Sequence, residues 1–134
     1  MGRTLSNRVL LIDDDIELLR QMSRALFSAG FDVEAAPDGL VGLERFQANR
    51  SDLVITDLIM PTREGVETIV ALRKLSPDVR IIAISGGYRV GPADFLSLAR
   101  HVGADDVLAK PFRLAELVAL AVRSLKDGAT RPTA

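Results

Sequence analysis

Short, continuous apolar runs alternate along this chain with longer stretches whose apolar residues recur at helical spacing. Val9 to Ile12 is apolar throughout and stops at Asp13, Asp14 and Asp15. From Ile16 to Ala29, Leu18, Leu19, Met22 and Leu26 mark one face of a helix. Asp15 suits its N-cap, because a carboxylate accepts from the free N–H groups of a first turn. Gly30 suits the position just past its end, where positive φ is needed. Phe31 to Ala35 alternates apolar and polar residues, the pattern of a strand with one wet face. Asp38 then caps a second helix through Leu40, Leu43 and Phe46. Leu53 to Ile55 is a second buried run, ending at Thr56 and Asp57. Pro61 and Gly65 flank the start of a third helix with Val66, Ile69, Val70 and Leu72. Ile81 to Ile84 leads into Ser85, Gly86 and Gly87. A fourth helix is predicted near Ala93 to Val102, a short strand at Val107 to Ala109 before Lys110 and Pro111, and a fifth helix from Leu114 to Leu125.

Five strand–helix alternations predict an α/β fold with a parallel sheet covered by helices on both faces. Crossovers should be right-handed. The continuously apolar runs belong inside the sheet. The alternating one, second in the chain, belongs at an edge. The expectation is a (βα)5 doubly wound five-stranded parallel sheet of order 2-1-3-4-5, the flavodoxin-like arrangement. In such sheets the site lies beyond the carboxyl ends of the strands.

Composition narrows the partners. A chain of 134 residues fits one domain. Residues 1–8 read as an N-terminal extension, 9–126 as the folded unit, and 127–134 as a polar, frayed tail. On this reading no effector domain follows the fifth helix, so output is by protein contact or onward transfer. The net charge of −1, from 17 basic and 18 acidic residues, gives no reason to expect nucleic acid or a membrane surface as partner. With no cysteine, disulfides and thiolate metal sites are excluded, which suits a cytoplasmic location. Nothing approaches the run of about 18 apolar residues that would span a membrane. Met1 to Arg8 lacks the apolar core of a signal peptide. The single histidine, His101, cannot alone build a histidine metal site or a triad.

The polar residues at the strand ends carry the candidate chemistry. They are Asp13 and Asp14, Asp57, Ser85 and Lys110. A parallel sheet brings these ends to one edge, so three carboxylates, a hydroxyl and an ammonium converge. Crowded carboxylates raise one another's pKa unless a cation sits among them. An oxygen-only set suits Mg²⁺, which keeps several waters and takes a further ligand from a phosphate. A carboxylate is also a competent nucleophile toward phosphorus. Phosphoryl transfer needs neutralisation of the equatorial oxygens, which Lys110 can supply while Ser85 donates a hydrogen bond. Each stretch alone reads as a helix cap or a turn. Together, at four parallel strand ends, they point to phosphoryl chemistry on Asp57.

Four stretches, Leu11-Ile12-Asp13-Asp14-Asp15, Thr56-Asp57-Leu58-Ile59-Met60-Pro61, Ile84-Ser85-Gly86 and Lys110-Pro111-Phe112, resemble the receiver domains of two-component response regulators. The resemblance covers roughly Val9 to Leu125 and suggests a stand-alone, single-domain receiver. It implies that Asp57 is phosphorylated by a sensor histidine kinase or a histidine phosphotransfer protein. It implies that Asp14 binds Mg²⁺ directly, Asp13 partly through water, and Ile59 through its backbone carbonyl. Ser85 would be the switch hydroxyl and Lys110 the phosphate-binding lysine, with a cis bond before Pro111. The protein would assist its own phosphorylation and dephosphorylation without being an enzyme. It would signal to a downstream protein, through the surface of the fourth helix, fifth strand and fifth helix.

The sequence departs from that pattern at Val107, where many receivers carry Tyr or Phe, so the usual aromatic switch cannot operate in its usual form. Ile59 and Gly87 offer no side chain to hold a hydrolytic water. Unassisted phosphate loss is therefore expected to be no faster than in receivers with polar residues there. A haloacid-dehalogenase-like phosphatase would want a second Asp at position 59, where Ile stands. A receiver-like module that binds partners without phosphorylation fits poorly with retained Asp57 and Lys110.

Overall fold

In the computed structural model, which describes residues 7–58, 64–85, 97 and 100–130, every apolar run is a strand of one parallel sheet. The elements are β1 (Arg8–Ile12), α1 (Ile16–Ser28), β2 (Asp32–Ala36), α2 (Gly39–Ala48), β3 (Leu53–Asp57), α3 (Glu64–Leu75) and β4 (Arg80–Ser85). Residues 97 and 100–102 are helical and mark α4. β5 (Asp106–Ala109) and α5 (Leu114–Thr130) complete the chain. Strand order is β2-β1-β3-β4-β5, with every pairing parallel. The alternating strand β2 lies at one edge, as its pattern predicts, and the short β5 at the other.

β3 and β4 are buried at every residue, which is why they read as continuous apolar runs. Successive strand residues point to opposite faces, so each strand feeds two cores. On one face Leu10, Ile12, Val54 and Ile81 meet Phe46 of α2 with Ile69 and Leu72 of α3. On the other, Leu11, Ile55, Ile82 and Ile84 meet Met22 and Leu26 of α1 with Leu117 of α5. Each such side chain contributes roughly 1.5–3 kcal/mol on burial.

Local chemistry fixes the helix ends. Asp15 Oδ1 accepts from the Leu18 N–H at 3.1 Å, and Asp38 Oδ1 from the Val41 N–H at 2.9 Å. Gly30 has φ +100° just past α1. Its N–H donates to the Phe27 carbonyl and that of Phe31 to the Leu26 carbonyl, both at 3.0 Å, closing the helix with its last carbonyls satisfied. Phe31 then packs in the same core as Leu26. α2 lies close on β1, because a Cβ on Gly42 would come within 2.5 Å of Ile12 Cδ1.

Several boundaries shift by a residue from the sequence expectation, and the start of α3 and the end of α5 also differ. α3 begins at Glu64, so Gly65 lies inside its first turn instead of before it. α5 runs to Thr130, past the predicted end at Leu125. Its distal turns pack against Arg80, far away in sequence. Most of the fourth helix predicted near Ala93 lies outside the described residues.

Candidate phosphoacceptor site

Asp57 is the last residue of β3 and is 3% exposed. The Leu58 N–H donates to the Ile84 carbonyl at 2.8 Å, so pairing with β4 continues past the carboxylate and holds its backbone. Asp13 directly follows β1 and is fully buried. Its N–H donates to the Ala36 carbonyl at 3.2 Å, and its Oδ1 accepts from the Asp15 N–H at 2.9 Å. Asp14 is exposed beside it. One carboxylate oxygen from each of Asp13, Asp14 and Asp57 lies within 4.8 Å of the other two.

Sheet register brings the remaining groups to the same pole. Asp57 sits opposite Ile84, and the next residue of β4, Ser85, is buried opposite Ala109. Lys110 follows Ala109, and its N–H donates to the Ser85 carbonyl at 2.7 Å. The Lys110–Pro111 bond is cis. Lys110 Nζ lies 3.2 Å from Asp57 Oδ2 and 3.7 Å from Asp13 Oδ2. Asp13, Asp14, Asp57, Ser85 and Lys110 thus share one end of the sheet. Ile59, Gly86 and Gly87, also named from the sequence, lie outside the described residues.

The electrostatics are unbalanced toward negative charge. Burial pushes the Asp13 carboxyl up from 3.8 to about 6; the Asp15 N–H pulls against this, and the Asp57 charge adds to it. Among the described residues Asp13 Oδ2 is buried with no hydrogen-bond donor, since Lys110 stands just beyond hydrogen-bonding reach. Burial alone would lower the proton affinity of Lys110, but Asp57 and Asp13 outweigh it and raise its pKa above the ordinary 10.5. An orphaned buried oxygen in a three-carboxylate set is the chemistry that a hard divalent cation satisfies, so the residues present fit Mg²⁺.

Two supporting features were not legible in the sequence. Thr56, read there only as a strand end, is fully buried and its hydroxyl donates to the Asp57 carbonyl at 3.3 Å. At the opposite pole Arg73 and Arg80 converge on Asp105 and Asp106. These residues are far apart in the chain and carried no local pattern. Val107 is half-buried against the α2–α3 core. His101 is exposed on α4. Among the described residues no helix is long and apolar enough to cross a membrane.

The family model of the response regulator receiver domain matches residues 9–122. The chain belongs to this family. It is a receiver domain of two-component signalling, a class of signalling proteins that accept a phosphoryl group. The transcriptional regulatory protein PrrA of Mycobacterium tuberculosis is 41% identical over 114 residues, covering 85% of this chain and 48% of that protein. A CpxR homolog of Haemophilus influenzae is 38% identical over 113 residues, covering 84% and 48%. The chain therefore spans about half the length of these curated relatives. Among solved structures, chemotaxis protein CheY4 of Vibrio cholerae superposes with a TM-score of 0.81 at 31% identity, covering 90% of this chain and 99% of that one. A CheY-like receiver domain protein from Methanospirillum hungatei gives 0.84 at 25% identity, covering 93% and 98%.

Proposed function

We propose that the receiver domain accepts a phosphoryl group on Asp57 from a sensor histidine kinase or histidine phosphotransfer protein, in a Mg²⁺-dependent reaction, and signals by protein contact. The observation that carries this reading is Lys110 Nζ at 3.2 Å from Asp57 Oδ2, within a cluster of three carboxylates. A carboxylate oxygen of Asp57 attacks the phosphorus of the donor phosphohistidine. The O–P bond forms as the P–N bond breaks, and the electron pair leaves with the imidazole. The Lys110 ammonium offsets charge on the phosphoryl oxygens, and the Ser85 hydroxyl donates to one of them. Asp13, Asp14, Asp57 and the Ile59 carbonyl would hold Mg²⁺, Asp14 directly and Asp13 partly through water; bound there, the ion supplies the positive charge that the carboxylates and phosphate require. The same groups would assist dephosphorylation.

Output uses the surface of α4, β5 and α5, without an aromatic at Val107, through contact with proteins and not nucleic acid. The relatives are named as transcriptional regulators, so a segment beyond these residues would add an output of its own. Incubation with Mg²⁺ and labelled acetyl phosphate should give acid-stable, base-labile label on the wild type and none on Asp57→Asn. Label that persists on the variant would overturn the assignment.

A further inference from the structure

The amino ends of β4 and β5, opposite the carboxylate pole, are tied to the far end of α5 by one side chain. Arg80 opens β4 and is 9% exposed. Its Nε donates at 3.2 Å to the hydroxyl of Ser124, itself fully buried in α5. Its terminal nitrogens face Asp105 at 3.4 Å and Asp106 at 3.6 Å. Beyond Leu125, α5 continues through Lys126, Asp127 and Gly128 with no large apolar side chain. That stretch has no large apolar anchor of its own, and a glycine lowers its helix propensity. The Arg80 stem packs against it: a Cβ on Gly128 would lie 2.9 Å from both Cγ and Cδ of Arg80.

We propose that Arg80 is a positioning residue that bolts the distal turns of α5 to the amino ends of β4 and β5, and thereby fixes the direction in which the chain leaves the receiver domain. These are the two strands whose other ends lead to Ser85 and Lys110. The proposal stands whether or not Asp57 is the acceptor, because it concerns the opposite pole.

Residue-resolved amide hydrogen exchange on the full chain tests it. Arg80→Ala leaves Asp105 paired with Arg73, so the sheet should survive. The amides of residues 126–130 should then exchange about tenfold faster, as expected for loss of a hydrogen bond from a charged donor, while those of β1 and β3 change little. Gly128→Ala separates the bolt from helix propensity. Propensity alone would slow exchange in the last turn, whereas the bolt predicts faster exchange, since the methyl meets a pinned Arg80. In the Arg80→Ala background the same substitution should reverse sign and slow it. Unchanged amides in Arg80→Ala, or slower exchange from Gly128→Ala with Arg80 in place, would overturn the proposal. Should Arg80→Ala fail to fold, Gly128→Ala in the wild-type background decides alone.

Discussion

Replacing Asp13 with asparagine should stabilise the metal-free protein at neutral pH, although it removes a residue we assign to the site. In the folded state the Asp13 carboxyl is raised from 3.8 to about 6, first by burial and then by the neighbouring Asp57 charge. A rise of that size corresponds to about 3 kcal/mol against the ionised form. The folded pKa lies above the unfolded one, so the folded state holds this proton more tightly. The associated stability is complete below pH 3.8, is lost as pH rises to about 6, and is absent above it. Asparagine carries no charge and keeps an Oδ1 able to accept from the Asp15 N–H. Burying a polar amide has a cost of its own, which trims the gain to about 1–2 kcal/mol, or roughly 3–8 °C in melting temperature. Thermal melts in EDTA at about pH 7.5 and pH 4.5, and again with millimolar Mg²⁺, would read this out. The variant should melt higher at pH 7.5 in EDTA, and the difference should shrink at pH 4.5. It should reverse with Mg²⁺, which binds and stabilises the folded wild type. A variant that melts no higher than wild type at pH 7.5 without metal would refute the electrostatic reasoning.

Two further substitutions test the packing that positions the site. Gly42→Ala sets a methyl within 2.5 Å of Ile12 Cδ1 and should cost about 1–3 kcal/mol in urea denaturation; the loss should be smaller in an Ile12→Val background, which lacks that atom. Arg73→Ala removes hydrogen bonds to the carbonyls of Pro77, Val79 and Gly103 and to Asp105. It should destabilise by about 3 kcal/mol, the range for a broken, partly buried charge network, with labelling of the folded fraction intact. A loss under about 1 kcal/mol would mean that these carbonyls find other partners.

The sheet was legible in the sequence because its middle strands are buried on both faces, which forces runs such as Ile81–Ile84. The edge position of β2 was legible for the converse reason: Asp32 is exposed while Val33 packs inward. The site residues could be read because strand-end positions become neighbours in any parallel sheet, whatever lies between them. What escaped was set by contacts without a local pattern. The contact between Arg80 and the distal turns of α5 joins residues 44 apart, Arg80 and Ser124. The orphaned Asp13 oxygen depends on how far Lys110 reaches, which no spacing reveals. The fold and family thus stand on strong local signals, while the energetics of the site come from side-chain geometry alone.

The two poles of the sheet carry opposite electrostatic characters, and this bears on how a metal site can persist without metal. At the carboxyl pole, three carboxylates face one ammonium among the described residues, and ionised Asp13 costs the folded state about 3 kcal/mol above pH 6. That is a large fraction of the 5–15 kcal/mol by which a domain of this kind is stable. At the amino pole the charges balance: Arg73 and Arg80 meet Asp105 and Asp106, and the remaining guanidinium donors reach carbonyls and Ser124. Partners that fix each other's geometry lose less of their attraction to solvent than isolated surface pairs do. β3 and β4, which link the poles at the centre of the sheet, are buried at every residue, so the backbone that carries Asp57 cannot move away without breaking strand pairs, Asp57 with Ile84 among them. Strain of this kind persists only where the surroundings over-determine it. The paired amino pole and the two cores hold Asp13, Asp14 and Asp57 together in advance, and a cation arriving among them relieves repulsion that the rest of the fold already sustains.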